Sequence, residues 1–275
     1  MDLPHKIDFA IKLLQSIPQD GPIEVSYSGG KDSDVVLELT KMAGIPYVAI
    51  YKNTTIDPPG TIAHCREMGV TIMKPKMTFR EIIEKKGAPS RFTRFCCEIL
   101  KEYKVYDRAI QGIRRCESTA RAQRYKEPEY CRTYSKNEKV RIYLPILEWT
   151  DADVEQFIRE RGLKCAPVYY DGDGQFHVER RLGCIGCPLA NANSRIASFK
   201  QYPKMLKLYI TALKKFYQNR PDTVGARMWD GDPYKKMAAD LFFERNPKEI
   251  LSLQDGLFDF PDARSFLENY FEIEL

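Results

Sequence analysis

Two groups of residues in this sequence have the types and spacing to do chemistry. The first is Ser28-Gly29-Gly30-Lys31-Asp32-Ser33, set between the alternating run Pro22–Tyr27 and the run Asp34–Met42, whose apolar residues fall at helical spacing. Two glycines let a backbone turn tightly and approach a ligand. The first N–H groups of the following helix then point at whatever sits there, and the helix dipole favours an anion. Ser28 and Ser33 add hydroxyls and Lys31 adds a positive charge. The expectation is a phosphate cradle; an ordinary strand-to-helix turn is the competing reading.

The second group is Cys96-Cys97 with Cys184-Ile185-Gly186-Cys187. A Cys-x-x-Cys knuckle presents two thiolates to one centre, and a distant pair completes four ligands. Adjacent side chains tend to diverge, so binding one centre through both Cys96 and Cys97 points to a polynuclear cluster or a kinked backbone. The residues point first to iron and sulfur, while zinc, disulfides and buried thiols stay open. Four cysteine ligands would close a cubane, leaving it a structural or electrostatic role; three would leave one iron for a labile sulfur. Of the other thiols, Cys65, Cys116, Cys131 and Cys165, Cys116 stands out because it lies inside an arginine segment.

The hexapeptide lacks Walker spacing and resembles the PP-loop of the N-type ATP pyrophosphatases. That resemblance implies ATP bound through its phosphates, Mg²⁺ bridging them, and pyrophosphate leaving as an adenylyl group is transferred. Lys31 and Asp32 become candidate catalytic residues. Ser28, Gly29, Gly30, Lys31, Asp32 and Ser33 become candidate nucleotide ligands. The pattern Cys-Cys, long gap, Cys-x-x-Cys resembles the cluster motif of the assimilatory adenylylsulfate reductases. Lys101 completes its CCxxxK form and is a third candidate catalytic residue. Gly112–Ser118, Leu144–Val154 and Pro167–Asp171 resemble, in order, three further segments of the phosphoadenosine phosphosulfate (PAPS) reductase superfamily. The resemblance spans about residues 22–190. It implies a [4Fe-4S] cluster on Cys96, Cys97, Cys184 and Cys187, and nucleotide contacts from Arg114 and Arg115.

Two departures from the reductases matter. No cysteine follows Cys187, where those enzymes carry a C-terminal catalytic thiol. Their PP-loop is usually degenerate, whereas SGGKDS is complete here. Both favour ATP-dependent sulfur transfer, with a sulfur-donor protein as partner. The alternative is an adenylylsulfate or PAPS reductase, served by a reductant protein and a thiol from elsewhere. A nucleotide-sensing module without catalysis is the third reading.

Elements must position these groups. Lys6–Ile17, Thr61–Gly69 and Thr78–Lys86 read as helices, Ile45–Tyr51 as a buried strand, and Val70–Met73, Ala109–Ile113 and Lys139–Leu147 as further strands. Thr150 and Asp153 form a capping box, and Gly162 ends that helix. Alternating strands and helices predict an α/β fold, a mainly parallel sheet flanked by helices like that of the adenine nucleotide alpha hydrolases. Ligands in such sheets bind at the carboxyl ends of strands, which adds Asn53 and, with it, Thr54 to the nucleotide candidates. Residues 1–194 read as the PP-loop domain carrying the cluster cysteines. Residues 195–275 read as a helical C-terminal appendage, with helices at Ser194–Gln218, broken at Pro203, and Tyr234–Arg245.

Composition fits this picture. The chain has 275 residues, 43% hydrophobic and 12% aromatic, enough to bury a sizeable core. No apolar run is long enough to span a membrane and no signal pattern opens the chain. Eight cysteines in such a chain suit metal or redox chemistry in the cytoplasm. Residues 111–141 hold nine Lys/Arg against four Glu, interleaved with Tyr125, Tyr130 and Tyr134. That stretch suits nucleotide phosphates, a nucleic acid such as DNA or tRNA, or a solvated loop.

Overall fold

The computed structural model describes residues 2–135, 138–242 and 262–275. Contacts divide the chain into two compact units. The first takes the described residues of 1–53, 57–74 and 102–182; the second takes 54–56, 75–101 and those of 183–275. The units do not follow the expected 194/195 boundary. Both cysteine pairs fall in the second unit, with the C-terminal helices.

The first unit is built on a six-stranded sheet: β1 (Ile23–Tyr27), β2 (Val48–Lys52), β3 (Thr71–Met73), β4 (Arg108–Gln111), β5 (Glu129–Ser135) and β6 (Glu138–Tyr143). Their order is β3-β2-β1-β4-β6-β5. All neighbours are parallel except β5 and β6. Val25 of β1 stands between Ala49 of β2 and Ile110 of β4. The chain runs outward from β1 through β2 to β3, then returns to β4 on the other side of β1. The strand order therefore reverses at β1, and loops leaving β1 and β4 meet at a topological switch point.

Helices α1 (Leu3–Gln15), α2 (Lys31–Ala43), α3 (Thr61–Glu67), α6 (Thr119–Arg124) and α7 (Asp151–Arg161) belong to this unit. Helix α1 begins earlier than its apolar spacing predicts, because Asp2 caps it by accepting from the N–H of His5. Helix α7 carries the expected capping box, and Gly162 closes it in the left-handed region at φ 60°. The core joins Leu14, Val25, Val35, Leu39, Trp149 and Phe157, among others. Strand β5 was not expected. Its Tyr130 and Tyr134, with Tyr125 from the end of α6, are partly buried against a small separate core that includes Val140 and Ile142.

The second unit is helical: α4 (Phe79–Lys86), α5 (Phe95–Leu100), α8 (Ala192–Gln201), α9 (Pro203–Asn219), α10 (Val224–Met228), α11 (Pro233–Phe242) and a last helix, Ala263–Phe271. Pro203 breaks α8 from α9, as expected. Residues 243–245 of the expected Tyr234–Arg245 helix, and Lys136 of the basic stretch, lie outside the described residues. Phe199, Leu206, Tyr209 and Leu213 centre this unit's core. Among the described residues no helix is long and apolar enough to cross a membrane.

Candidate functional site

The hexapeptide forms the turn from β1 into α2, at the switch point. Gly29 holds φ +78°, and a Cβ there would meet Thr61 Cγ2 at 2.9 Å, so the position requires glycine for both conformation and space. Gly30 is the N-cap of α2 and has no side chain to satisfy it. Ser33 closes the turn, its N–H and Oγ both donating to the Gly30 carbonyl at 2.8 and 2.6 Å. Ser28 Oγ accepts from the Gly30 N–H at 3.3 Å and lies 3.3 Å from Ser33 Oγ.

Lys31 is buried. Its Nζ lies 3.2 Å from Asp32 Oδ2 and 5.4 Å from the centre of the Tyr169 ring. Tyr169 was singled out only as part of a motif, yet its hydroxyl faces the loop. It would stand 3.1 Å from a Cβ on Gly30 and accepts from the N–H groups of Leu182 (3.3 Å) and Lys31. Burial pushes this phenol up to about 12.

The loop leaving β4 meets the same turn. A Cβ on Gly112 would stand 2.8 Å from the Asp32 carbonyl oxygen, so a glycine lets the two backbones touch. Arg114 is almost wholly buried between two carboxylates. Its Nε lies 2.7 Å from Asp32 Oδ1 and its Nη2 donates to Asp151 Oδ1 at 2.7 Å. The Nε–Asp32 contact is an ion pair in distance but poorly aligned as a hydrogen bond, so each atom retains unused capacity. Burial works against the guanidinium's charge, and Asp32 and Asp151 restore it. Arg114 Nη1 also donates to Cys116 Sγ at 3.1 Å.

Several expected residues are placed otherwise. Arg115 spends its donors elsewhere: Nε donates to the Tyr125 carbonyl at 2.7 Å, and its other nitrogens meet Glu148 and the Lys126 carbonyl. Arg121 pairs with Glu117, and Arg132 with Glu102 at 2.7 Å. Arg115, Arg121 and Arg132 are thus paired within the chain. Asn53 stands at the carboxyl end of β2 and donates its N–H to the Met73 carbonyl at 3.1 Å. Thr54 belongs to the second unit, where its Oγ1 lies 3.7 Å from Cys184 Sγ.

The four expected metal-binding cysteines share the second unit. Cys96 and Cys97 lie on α5. Cys184–Cys187 is a tight turn, with the Cys187 N–H donating to the Cys184 carbonyl at 3.2 Å. Gly186 in that turn holds φ +68°, and a Cβ there would overlap the Phe199 ring. Tyr209 donates to the Ile185 carbonyl at 3.0 Å, and burial pushes its phenol well up. A hydrogen bond from Cys96 holds Cys97 toward thiolate, aided by Arg94 and Lys101; the same bond and burial push Cys96 up. Lys101 caps α5, its N–H donating to the Cys97 carbonyl at 2.8 Å. Among the described residues no three His, Cys, Asp or Glu side chains form a group that could hold a metal ion. The thiols therefore share the second unit without forming a coordination shell.

A glycine-rich turn at a switch point, backed by an arginine loop from the adjacent parallel strand, defines the candidate site of an α/β protein. The chain belongs to the phosphoadenosine phosphosulfate reductase domain family, which matches residues 22–190. It is similar to an uncharacterized protein of Methanocaldococcus jannaschii, 26% identical over 211 residues, covering 71% of this chain and 42% of that one. It is also similar to sulfate adenylyltransferase subunit 2 of Rhizobium etli, 28% identical over 191 residues, covering 56% and 59%. The chain thus spans about half the length of these curated relatives. Among solved structures it is similar to the FMN adenylyltransferase of Candida glabrata (18% identity, TM-score 0.43, 62% of this chain and 59% of that). A second is the PAPS reductase of Candida auris (17%, 0.43, 60% and 87%). Likenesses so distant carry no argument about activity.

Proposed function

We propose that this chain binds ATP in the Ser28–Ser33 turn and transfers its adenylyl group, releasing pyrophosphate, as the first step of sulfur transfer to an acceptor. The observation that carries this reading is the complete loop, with buried Lys31 held against Asp32 at the N-terminus of α2. Charge develops on the departing pyrophosphate in such a reaction, and donors fixed in advance around it lower the barrier. Lys31 and the first turn of α2 would bind that charge. Asp32, held by Arg114, would orient Lys31, and Tyr169 would shape the turn and exclude water. Mg²⁺ would arrive with the nucleotide and supply countercharge for the phosphates. The relative named sulfate adenylyltransferase subunit 2 supports adenylyl transfer as the reaction type and a further protein as partner.

Cys96, Cys97, Cys184 and Cys187 would hold a [4Fe-4S] cluster, supplying charge and local rigidity. Lys101 stands among these cysteines, and its proposed contribution is to the electrostatics around Cys97. A sulfonucleotide reductase is the competing activity, and one assay separates the two. Anaerobically purified protein is given α-labelled ATP, adenylylsulfate or PAPS, the sulfonucleotides with a dithiol reductant. The proposal expects AMP or an adenylylated product plus pyrophosphate from ATP, and no enzymatic release of sulfite. ADP with inorganic phosphate as the only products from ATP would count against it.

A further inference from the structure

Tyr27 immediately precedes Ser28, and Asp34 immediately follows Ser33. These flanking residues are joined: the Tyr27 hydroxyl donates to Asp34 Oδ1. His64, from α3, completes the group. Its Nε2 lies 2.9 Å from Asp34 Oδ1 and 2.9 Å from the Tyr27 hydroxyl. All three side chains are buried, Asp34 completely. The same helix forms a wall of the turn, since Thr61 and Cys65 stand 2.9 and 3.7 Å from the place of a Cβ on Gly29. The hydrogen bonds thus close the base of the loop and tie it to α3.

Asp34 Oδ2 is buried with only the Cys165 thiol, a weak donor, beside it. Burying a carboxylate with one oxygen so weakly matched is costly. Asp34 also sits in the first turn of α2, where a fixed negative charge competes with a bound phosphate for the helix field.

We propose that Tyr27, Asp34 and His64 are positioning residues of the phosphate cradle: a clasp joining its two ends, whose single shared proton sets the charge beneath the bound phosphates. This rests on the nucleotide reading above. Burial raises the pKa of Asp34 and so favours its protonated form. With that proton lost, one more negative charge sits beneath the loop, and polyphosphate binding weakens. The titratable and charged groups facing the clasp are Cys65 from α3, Asp57 from the segment before it, Cys165 and Tyr169 after α7, and Lys31 and Asp32 from α2. Lys31 and Asp32 form an ion pair of their own, and burial holds the Cys65 and Cys165 thiols and the Tyr169 phenol protonated. The group left to change charge lies in the clasp, at Asp34.

The test is calorimetric binding of ATP from pH 6 to 9, with Mg²⁺ in excess so that the nucleotide keeps one charge state. Inorganic pyrophosphate serves as a second probe. Wild-type affinity is expected to fall about threefold or more as pH rises, the scale of a unit charge at a helix N-terminus. Asp34→Asn keeps the shape and removes the charge, and that fall should vanish. Tyr27→Phe keeps the ring and opens the clasp. It should lower affinity at every pH while leaving the pH-dependent fall in place, and it carries the test if Asp34→Asn does not fold. Parallel pH curves for wild type and Asp34→Asn overturn the clasp's electrostatic role but leave the nucleotide site standing, as does unchanged affinity in Tyr27→Phe. Failure of the wild type to bind either probe at any pH overturns the nucleotide reading and the clasp together.

Discussion

Lys31 is the residue whose removal should speak most directly. Its ammonium is the loop's one side-chain cation, buried against Asp32 and the face of Tyr169. Lys31→Ala should weaken ATP binding by about 1.5–3 kcal/mol, the range for a charge-assisted contact. Equilibrium binding with labelled ATP measures this, and Ser28→Ala should cost less. Gly112→Ala tests a different point. Its new Cβ would stand 2.8 Å from the Asp32 carbonyl, so the β4 loop or the first turn of α2 must shift. Overpacking of this kind costs about 1–3 kcal/mol. A shift in the urea midpoint, with loss of ATP affinity, is the expected result; wild-type affinity would show that the contact does not matter to the cradle. The strand-to-helix turn itself was legible because its signals are local: glycines, serines, a lysine and a helix start lie within six consecutive residues. The clasp was not legible. Asp34 meets His64 across 30 residues of chain, and only the placement of α3 beside β1 brings them together.

At the scale of elements, capping and chain-breaking residues were informative and half-buried tyrosines were misleading. Thr150 and Asp153 mark the start of α7 because their side chains satisfy each other's backbone, with the Thr150 N–H donating to Asp153 Oδ2 at 2.6 Å. Gly162 and Pro203 likewise mark ends that no side chain can continue. Strand β5 was missed because its alternation of Tyr130, Arg132 and Tyr134 carries charge on the same face as the aromatics, a pattern shared with binding loops. Thr150→Ala should destabilise the protein by about 1 kcal/mol in urea denaturation. The partner residue adds a pH dependence. Burial opposes the charge of Asp153, but hydrogen bonds from Lys6 and Thr150 prevail and hold it below the usual carboxylate range. A carboxylate depressed on folding contributes stability above its unfolded value, near 3.9, and loses it as pH falls through the folded value. The stability gap between wild type and Asp153→Asn should therefore be full at pH 7 and close below about pH 4. A gap independent of pH would mean that packing, not charge, sets the role of Asp153.

At the scale of the whole chain, sequence proximity and structural membership diverge. The cysteines were expected in the same domain as the phosphate loop; by contacts, both pairs belong with the helical second unit. The reason lies in the apolar neighbours. Cys96, Ile185, Phe199 and Tyr209 share one core, so the two thiol-bearing segments are drawn to α8 and α9 rather than to the sheet. This placement sorts the eight thiols into sets that a metal analysis can tell apart. Anaerobic reconstitution with iron and sulfide should give a brown protein. Cys96→Ser, Cys97→Ser, Cys184→Ser and Cys187→Ser should each lower bound iron and acid-labile sulfide. Cys65→Ser should leave both unchanged, because that thiol is buried beside Asp34 in the first unit, where burial pushes it up to about 12, away from the thiolate that a metal requires. Cys131→Ser, on exposed β5, should also leave them unchanged. Gly186→Ala would drive a methyl into the Phe199 ring and should lower iron content without touching a sulfur. Stoichiometric zinc without acid-labile sulfide would replace the cluster with a mononuclear site. Equal iron loss in the Cys65 and Cys96 variants would mean that metal uptake follows general stability rather than these four sulfurs.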